Sequence, residues 1–373
     1  MSNKTIYIVD ARRLPMGKFG GWYRGLKSWQ LGAGLLRRLG ALPGVDLSAV
    51  AAVFVGHCRQ AGNGPNPART AALLAGVPKE SFATTVNTAC LSGLDALRAG
   101  VDFLSSGRGE AVICGGMESM SSMPHLVEGL RFKRQKHGDL SIRDSWSDAV
   151  DPLVAKRAGE CAEETAERLD ISRDSLDELA VGSHRRAREA WRQTLGVEVS
   201  PAVDQPGEGP SSGVEKTKGE KKGEEKGEEK KIQRDALRGA EGRGPLAREV
   251  VNGSMDVLLP GGQGKPQTRR LALPMRDETV RDEADLKGIA WLRPVFKDGG
   301  RLTAGNTCSH ADGAAFFLLA TEEYLRRFDV EPRGRLGRFF FYGGAPAEMT
   351  LAPGKMLASR ARDYATFGAH EPF

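Results

Sequence analysis

The stretch from Phe82 to Gly116 leaves this chain few folds to choose from. It opens with a β-branched run, FATTVN, passes through Thr88, Ala89 and Cys90, and continues as SGLDALRAGVDFL. Leu91, Leu94, Leu97, Val101 and Leu104 recur near a 3.5-residue spacing, which predicts a helix apolar enough to be buried. Gly107 and Gly109 end it, and Glu110–Cys114 predicts a strand that stops at Gly115–Gly116. The same alternation runs upstream. Thr5–Val9 predicts a first strand, Gly17 to Gly25 supplies turns, and Leu26–Leu39 carries leucines at helical spacing. Val50–Val55 predicts another strand, and Pro67–Ala75 a helix that Asn66 can cap and Pro67 can open without losing a helical hydrogen bond. Strands alternating with helices at this spacing predict an α/β fold, its sheet covered on both faces.

From about Ser119 to Val250 the chain carries more charge, more proline and longer helices. Glu160–Leu169 reads as helix, and Ser172 is placed to cap the next one, whose apolar stripe is Leu176, Leu179, Ala180, Ala187 and Trp191. Gly207 to about Gly244 is low in complexity and has almost nothing to bury, which predicts a surface loop without fixed structure. A strand-turn-strand unit is expected at Val250–Leu259, a small-residue turn at Thr303–Asp312, a strand at Ala314–Ala320 and a helix at Glu322–Phe328. Gly334–Tyr342 is strand-like and Met349–Ala361 helical.

Composition narrows the function. Over 373 residues, 40% hydrophobic and 27% charged residues fit a globular protein rather than a disordered or fibrous one. The net charge of +6 is mild, and the densest charged run, Glu215–Lys231, holds seven Lys and six Glu, which cancel the field a phosphate backbone needs. Aromatic residues, at 6%, are too sparse for a stacking platform, so no nucleic-acid partner is expected. Five cysteines (Cys58, Cys90, Cys114, Cys161 and Cys308) form no CxxC and leave an odd count, pointing to free thiols. With no secretory signal and no apolar run of about 18 residues, the expectation is a cytoplasmic chain with no membrane span.

Cys90 is the sharpest candidate for chemistry. Where a strand turns into a helix, the first helical N–H groups favour a thiolate, and a polarizable nucleophile there suits acyl transfer through a thioester. The same position also suits a small cysteine packed at a helix start. Gly115–Gly116, followed by Met117, Glu118, Ser119 and Met120, is a sharp turn rich in backbone donors. In the Thr303–Asp312 turn, Asn306 and Asp312 are placed to brace the loop rather than to react. Cys114, in an apolar run, reads as core, and His125 follows Pro124 in a loop.

VNTACLSGLDAL, followed by AVICGGMESMSSMP, resembles the nucleophile loop and glycine-rich motif of the thiolases, the acetyl-CoA acetyltransferases and 3-ketoacyl-CoA thiolases. IYIVDARRLPMGKFGGWYRG resembles the family's first strand and loop, and GHCRQAGNGPNPARTAALLAGVP the segment before its third strand. GECAEETAERLDISRDSLDELAVGSHRRAREAW is similar to its loop domain, LRPVFKDGGRLTAGNTCSHADGAAFFLLATEE to the junction into its second half, and HEPF to its NEAF loop. Only about Gly207–Arg270 lies outside the resemblance.

The resemblance implies a thiolase fold, a duplicated α/β unit with an α-β-α-β-α layered core. It implies an N-terminal half at 1–118 closing at 271–299, a loop domain at 119–270 that grips coenzyme A, and a partial C-terminal half at 300–373. Cys90 would carry the acyl group, His370 would help polarise a thioester carbonyl through water, and Arg157, Ala304 and Cys308 would line the coenzyme and acyl site. Coenzyme A and acetyl-CoA would be substrates in fatty-acid metabolism, with no permanently bound cofactor and no metal, in a homodimer, a homotetramer or an assembly with a partner subunit. The family's activating histidine lies in a GHP motif and its acid/base cysteine in a CxGG motif, and this sequence contains neither. The expectation is therefore impaired acyl transfer with an apparently truncated second half, or else a non-catalytic, thiolase-like binding or assembly subunit.

Overall fold

In the computed structural model, residues 4–131, 139–195, 246, 248–259 and 267–367 are described. Among the strands are β1 (Tyr7–Arg13), β2 (Gly17–Lys18), β3 (Val50–Gly56), β4 (Phe82–Val86), β5 (Ala111–Ser119), β6 (Ser254–Leu259), β7 (Gln267–Ala272), β8 (Ala311–Ala320) and β9 (Gly334–Arg335). The helices are α1 (Ser28–Gly40), α2 (Pro67–Ala75), α3 (Ser92–Ser105), α4 (Ala158–Arg168), α5 (Arg173–Leu195), α6 (Leu286–Ala290), α7 (Glu322–Phe328) and α8 (Ala352–Phe367). The low-complexity run at 207–244 and His370 lie outside the described residues.

One mixed sheet in the order β9-β1-β8-β5-β3-β4, with β2 paired to β8, organises the chain. β3 runs parallel to β4 and β5, whereas β8 is antiparallel to β1, β2 and β5. The reason lies in VAAVFV: Val53 and Val55 join the core under α1 and α2, while Ala52 and Phe54 join the core under α3. A strand apolar on both sides must be covered on both sides. The α/β architecture is the one the alternation of elements predicts.

Three differences from the sequence reading have physical causes. A second half was expected to open at residue 300, yet Ala311–Ala320 lies inside the sheet, pairing with β5 from Asp312↔Ser119 to Ala320↔Ala111. Its alternating buried side chains, Ala314, Phe316 and Leu318, complete the α1 side of the core. Second, α3 buries only the face carrying Ala96, Leu97, Gly100 and Leu104, and Leu91 and Leu94 are 61% and 62% exposed. A helix lying on one sheet turns a single stripe inward. Third, the stripe expected on α5 is broken, because Leu179 is exposed while Asp177 is buried against Arg173 and Asn306.

The helix caps follow the sequence. Arg69 N donates to Asn66 Oδ1 at 3.1 Å, and Ser175 N donates to Ser172 Oγ at 3.1 Å. A third anchor was not legible. Asp277 accepts from Arg13 on β1 (2.8 and 3.2 Å), from the Met16 N–H (2.6 Å) and from the indole N–H of fully buried Trp191 on α5 (3.2 Å). Arg13 also reaches Glu249 at 3.0 Å, so one cation and two carboxylates tie the long excursion between β5 and β8 back to the first strand.

Phe316 is fully buried at the centre of this sheet. Phe316→Ala should lower the unfolding free energy by about 3–5 kcal/mol in urea titrations. Leu94→Ala, on the exposed face of α3, should change it by less than about 0.5 kcal/mol.

Candidate active site

In an α/β sheet, ligands gather beyond the carboxyl ends of the parallel strands. Here three parallel strands end together, at Gly56, Val86 and Ser119, and antiparallel β8 begins at the same end. The loops leaving these ends carry most of the reactive side chains.

Cys90 stands on the turn from β4 into α3, directly before the helix's N-cap Leu91, and is exposed. The turn is built by side chains. Asn87 Oδ1 accepts from Ala89 N at 3.0 Å, and Ser92 Oγ accepts from Thr88 N at 3.0 Å while donating to Ala89 O at 2.5 Å. Together they hold Ala89 at a φ of 53°, left-handed backbone that an alanine adopts only when its surroundings dictate it. Below the turn, β3 passes so near the start of α3 that a side chain at Gly56 would collide with the backbone of Ser92 and Gly93. The nucleophile candidate is thus presented outward from a rigid seat.

The neighbouring loop supplies His57, Cys58 and Arg59. Glu118, at the end of β5, holds it: Oε2 accepts from Cys58 N (2.9 Å) and Arg59 N (3.3 Å). Glu118 Oε1 lies 3.0 Å from Nε2 of the buried His57 ring, close enough for an ion pair but not aligned for a hydrogen bond. His57 Nδ1 has no hydrogen-bond partner among the described residues. Cys58 O accepts from Asn87 Nδ2 at 3.0 Å, joining this loop to the Cys90 turn.

On the β8 side, Ala304 and Cys308 are exposed in the Thr303–Asp312 turn. Asn306 accepts from Thr303 N at 2.7 Å and donates to Asp177 at 2.8 Å, and Asp312 receives Ser121 N at 2.9 Å and Ser121 Oγ at 2.5 Å. Asn306 braces the loop, as its position suggested, whereas Asp312 lies in β8 and holds the segment after β5 instead. Burial holds the Asp312 carboxyl above the usual range, against the Ser121 bonds that pull it down. His310 lies between Trp146, with ring centroids 3.8 Å apart, and Phe19, at 5.8 Å, while the Arg59 guanidinium covers Trp146 at 5.0 Å. Arg157 sits farther out, before α4, exposed, paired with Glu160 at 2.9 Å and stacked on Phe296. Cys114 is buried in β5 and His125 is exposed. Cys90, Ala304 and Cys308 therefore share one end of the sheet, and Arg157 lies on the inserted segment. His57, Arg59, Trp146 and His310 were not singled out in the sequence. Only His57 left a trace there, a histidine two residues after a predicted strand.

The sequence profile of the thiolase N-terminal domain matches residues 6–238 and 247–323. The chain belongs to the thiolase family. A probable acetyl-CoA acyltransferase of Staphylococcus aureus (strain COL) is 30% identical over 350 residues, 93% of this chain and 74% of that protein. Among solved structures, the Bacillus anthracis acetyl-CoA acetyltransferase superposes with a TM-score of 0.70 at 26% identity, covering 95% of this chain and 76% of its own. Human mitochondrial 3-ketoacyl-CoA thiolase gives 0.69 at 25% identity, covering 97% and 78%. By family this thiolase is an acetyl-CoA acyltransferase. Among its described residues, no helix is long and apolar enough to cross a membrane.

Two outcomes test the local physics. Replacing Ala89 by glycine relieves a left-handed alanine and should raise the unfolding free energy by about 1 kcal/mol. Burial, then Arg59, lowers the proton affinity of His310, with Asp144 acting the other way. The unfolded chain then takes that proton more readily, so stability is complete above the ordinary histidine value of about 6.5 and is lost as pH falls through it. Melting curves from pH 7.5 to 5 should fall more steeply for the wild type than for His310→Phe, which keeps a stacked ring but cannot titrate.

Proposed function

We propose that this thiolase transfers an acyl group between coenzyme A thioesters through a thioester on Cys90. The observation that carries this reading is the seat of Cys90, exposed after the strained Ala89 where the parallel strands end. Substrates are coenzyme A and acetyl-CoA, with 3-ketoacyl-CoA cleaved or acetoacetyl-CoA formed. Ala304 and Cys308 line the acyl side, Arg157 on the loop domain meets the coenzyme, and His370 helps polarise the second carbonyl. The segment after β9 opens the second unit of a duplicated core, and the chain works as a homo-oligomer or with a partner subunit.

Turnover by these 373 residues is expected to be poor, since they include neither GHP nor CxGG. General acid–base help is worth about 10²–10⁴-fold, and an oxyanion donor roughly 10²–10³-fold. The purified chain should take an acetyl group from acetyl-CoA onto the Cys90 peptide, read by mass spectrometry. It should cleave acetoacetyl-CoA about 10⁴–10⁷-fold more slowly than an ordinary thiolase. An acetyl group on another residue, or none, overturns the role of Cys90. Turnover within about tenfold of an ordinary thiolase overturns the impairment. The absent motifs favour one second reading, a thiolase-like binding subunit, which predicts coenzyme A binding without acylation.

A further inference from the structure

Cys58 and Cys90 are neighbours across the sheet rather than along the chain. Cys58 is the second residue past β3, Cys90 the fourth past β4, and these adjacent parallel strands stand about 4.8 Å apart. The contact continues beyond the strand ends: His57 N donates to Val86 O at 3.0 Å, and Asn87 Nδ2 donates to Cys58 O at 3.0 Å. The Cys58 thiol also feels charge on Cys90 directly. The other three cysteines are placed differently. Cys114 and Cys161 are buried, and Cys308 precedes β8, three strand spacings (about 14 Å) across from β4.

We propose that Cys58 and Cys90 form a dithiol that a hydroperoxide closes into a disulfide, taking the exposed nucleophile out of service. This is a modification site beyond the acyl transfer proposed above, and it does not rest on it. Exposed Cys90 is the sulfur attacked first: its thiolate displaces hydroxide or alkoxide from the peroxide O–O bond and becomes a sulfenic acid. The Cys58 sulfur then attacks Cys90, the S–S bond forms, the S–O bond breaks, and the proton of Cys58 leaves with the oxygen as water. The two thiols supply the two electrons that reduce the peroxide. A disulfide spans about 4.4–6.8 Å between Cα atoms, the scale of neighbouring strands. Burial first, then Glu118 and Cys90, raise the proton affinity of Cys58, while Arg59 opposes them. Closure should therefore quicken as pH rises.

The test treats the full wild-type chain with hydrogen peroxide, blocks remaining thiols, and maps peptides by mass spectrometry without reduction. A linked Cys58–Cys90 peptide, two hydrogens lighter than the separate pair, should appear in buffer, form faster at pH 8.5 than at pH 6.5, and vanish with dithiothreitol. In about 6 M urea it should lose its preference over other pairings. Cys58→Ser should instead carry Cys90 on to sulfinic acid. A Cys90–Cys308 link, or sulfinic acid at Cys90 in the wild type with no link, overturns the proposal. Acetylation of Cys90 from acetyl-CoA is scored separately: a disulfide without acetylation removes the acyl-transfer reading alone, and acetylation without a disulfide removes the dithiol alone.

Discussion

Everything at the site depends on the pairing of β8 between β1 and β5. Ala311–Ala320 returns to the sheet after an excursion of nearly two hundred residues, and nine of its residues pair with β5 and six with β1. Closing so long a loop costs little more than closing a short one, since the entropy grows only with the logarithm of length. The gain is large: Phe316, Leu318, Leu319 and Ala320 are fully buried by the return. The same pairing carries the Thr303–His310 turn to the end of the sheet where Cys90, His57 and Glu118 already stand. Without it the parallel strands would end in a one-sided shelf.

The individual elements were legible in the sequence for a simple reason. β3 and β5 are apolar on both faces, α1 and α2 carry their leucines and alanines toward one core, and Asn66 and Ser172 mark helix starts with their own oxygens. α2 and α7 begin and end where the spacing put them. The position of Cys90 between strand and helix was equally local. One miss was local, since the strand expected to stop at Gly115–Gly116 runs on through both glycines to Ser119, and the others are non-local. The stack of Phe19, His310, Trp146 and Arg59 gathers four segments spread from residue 19 to residue 310, none with a pattern of its own. The strand after Thr303 was legible as a strand, but its neighbours were not, because period-two burial names a face and never a partner.

The charged groups at this end are arranged to hold loops rather than to sit free. Glu118 receives two backbone N–H groups, Asp312 receives Ser121 twice, and Asp177 faces both Arg173 and Asn306. Each carboxylate takes up donors that would otherwise be left unpaired, which is how a glycine-rich, loop-heavy sheet end acquires a fixed shape.

Asp277 has a mechanical consequence. It receives the guanidinium of Arg13, the Met16 N–H and the indole of Trp191 at once, so β1, the β1–β2 connection and α5 meet on one carboxylate. A hinge between the sheet and α5 would have to strand that charge away from its cation and leave a buried indole N–H without an acceptor. The wall that α5 presents therefore travels with the sheet as one rigid frame.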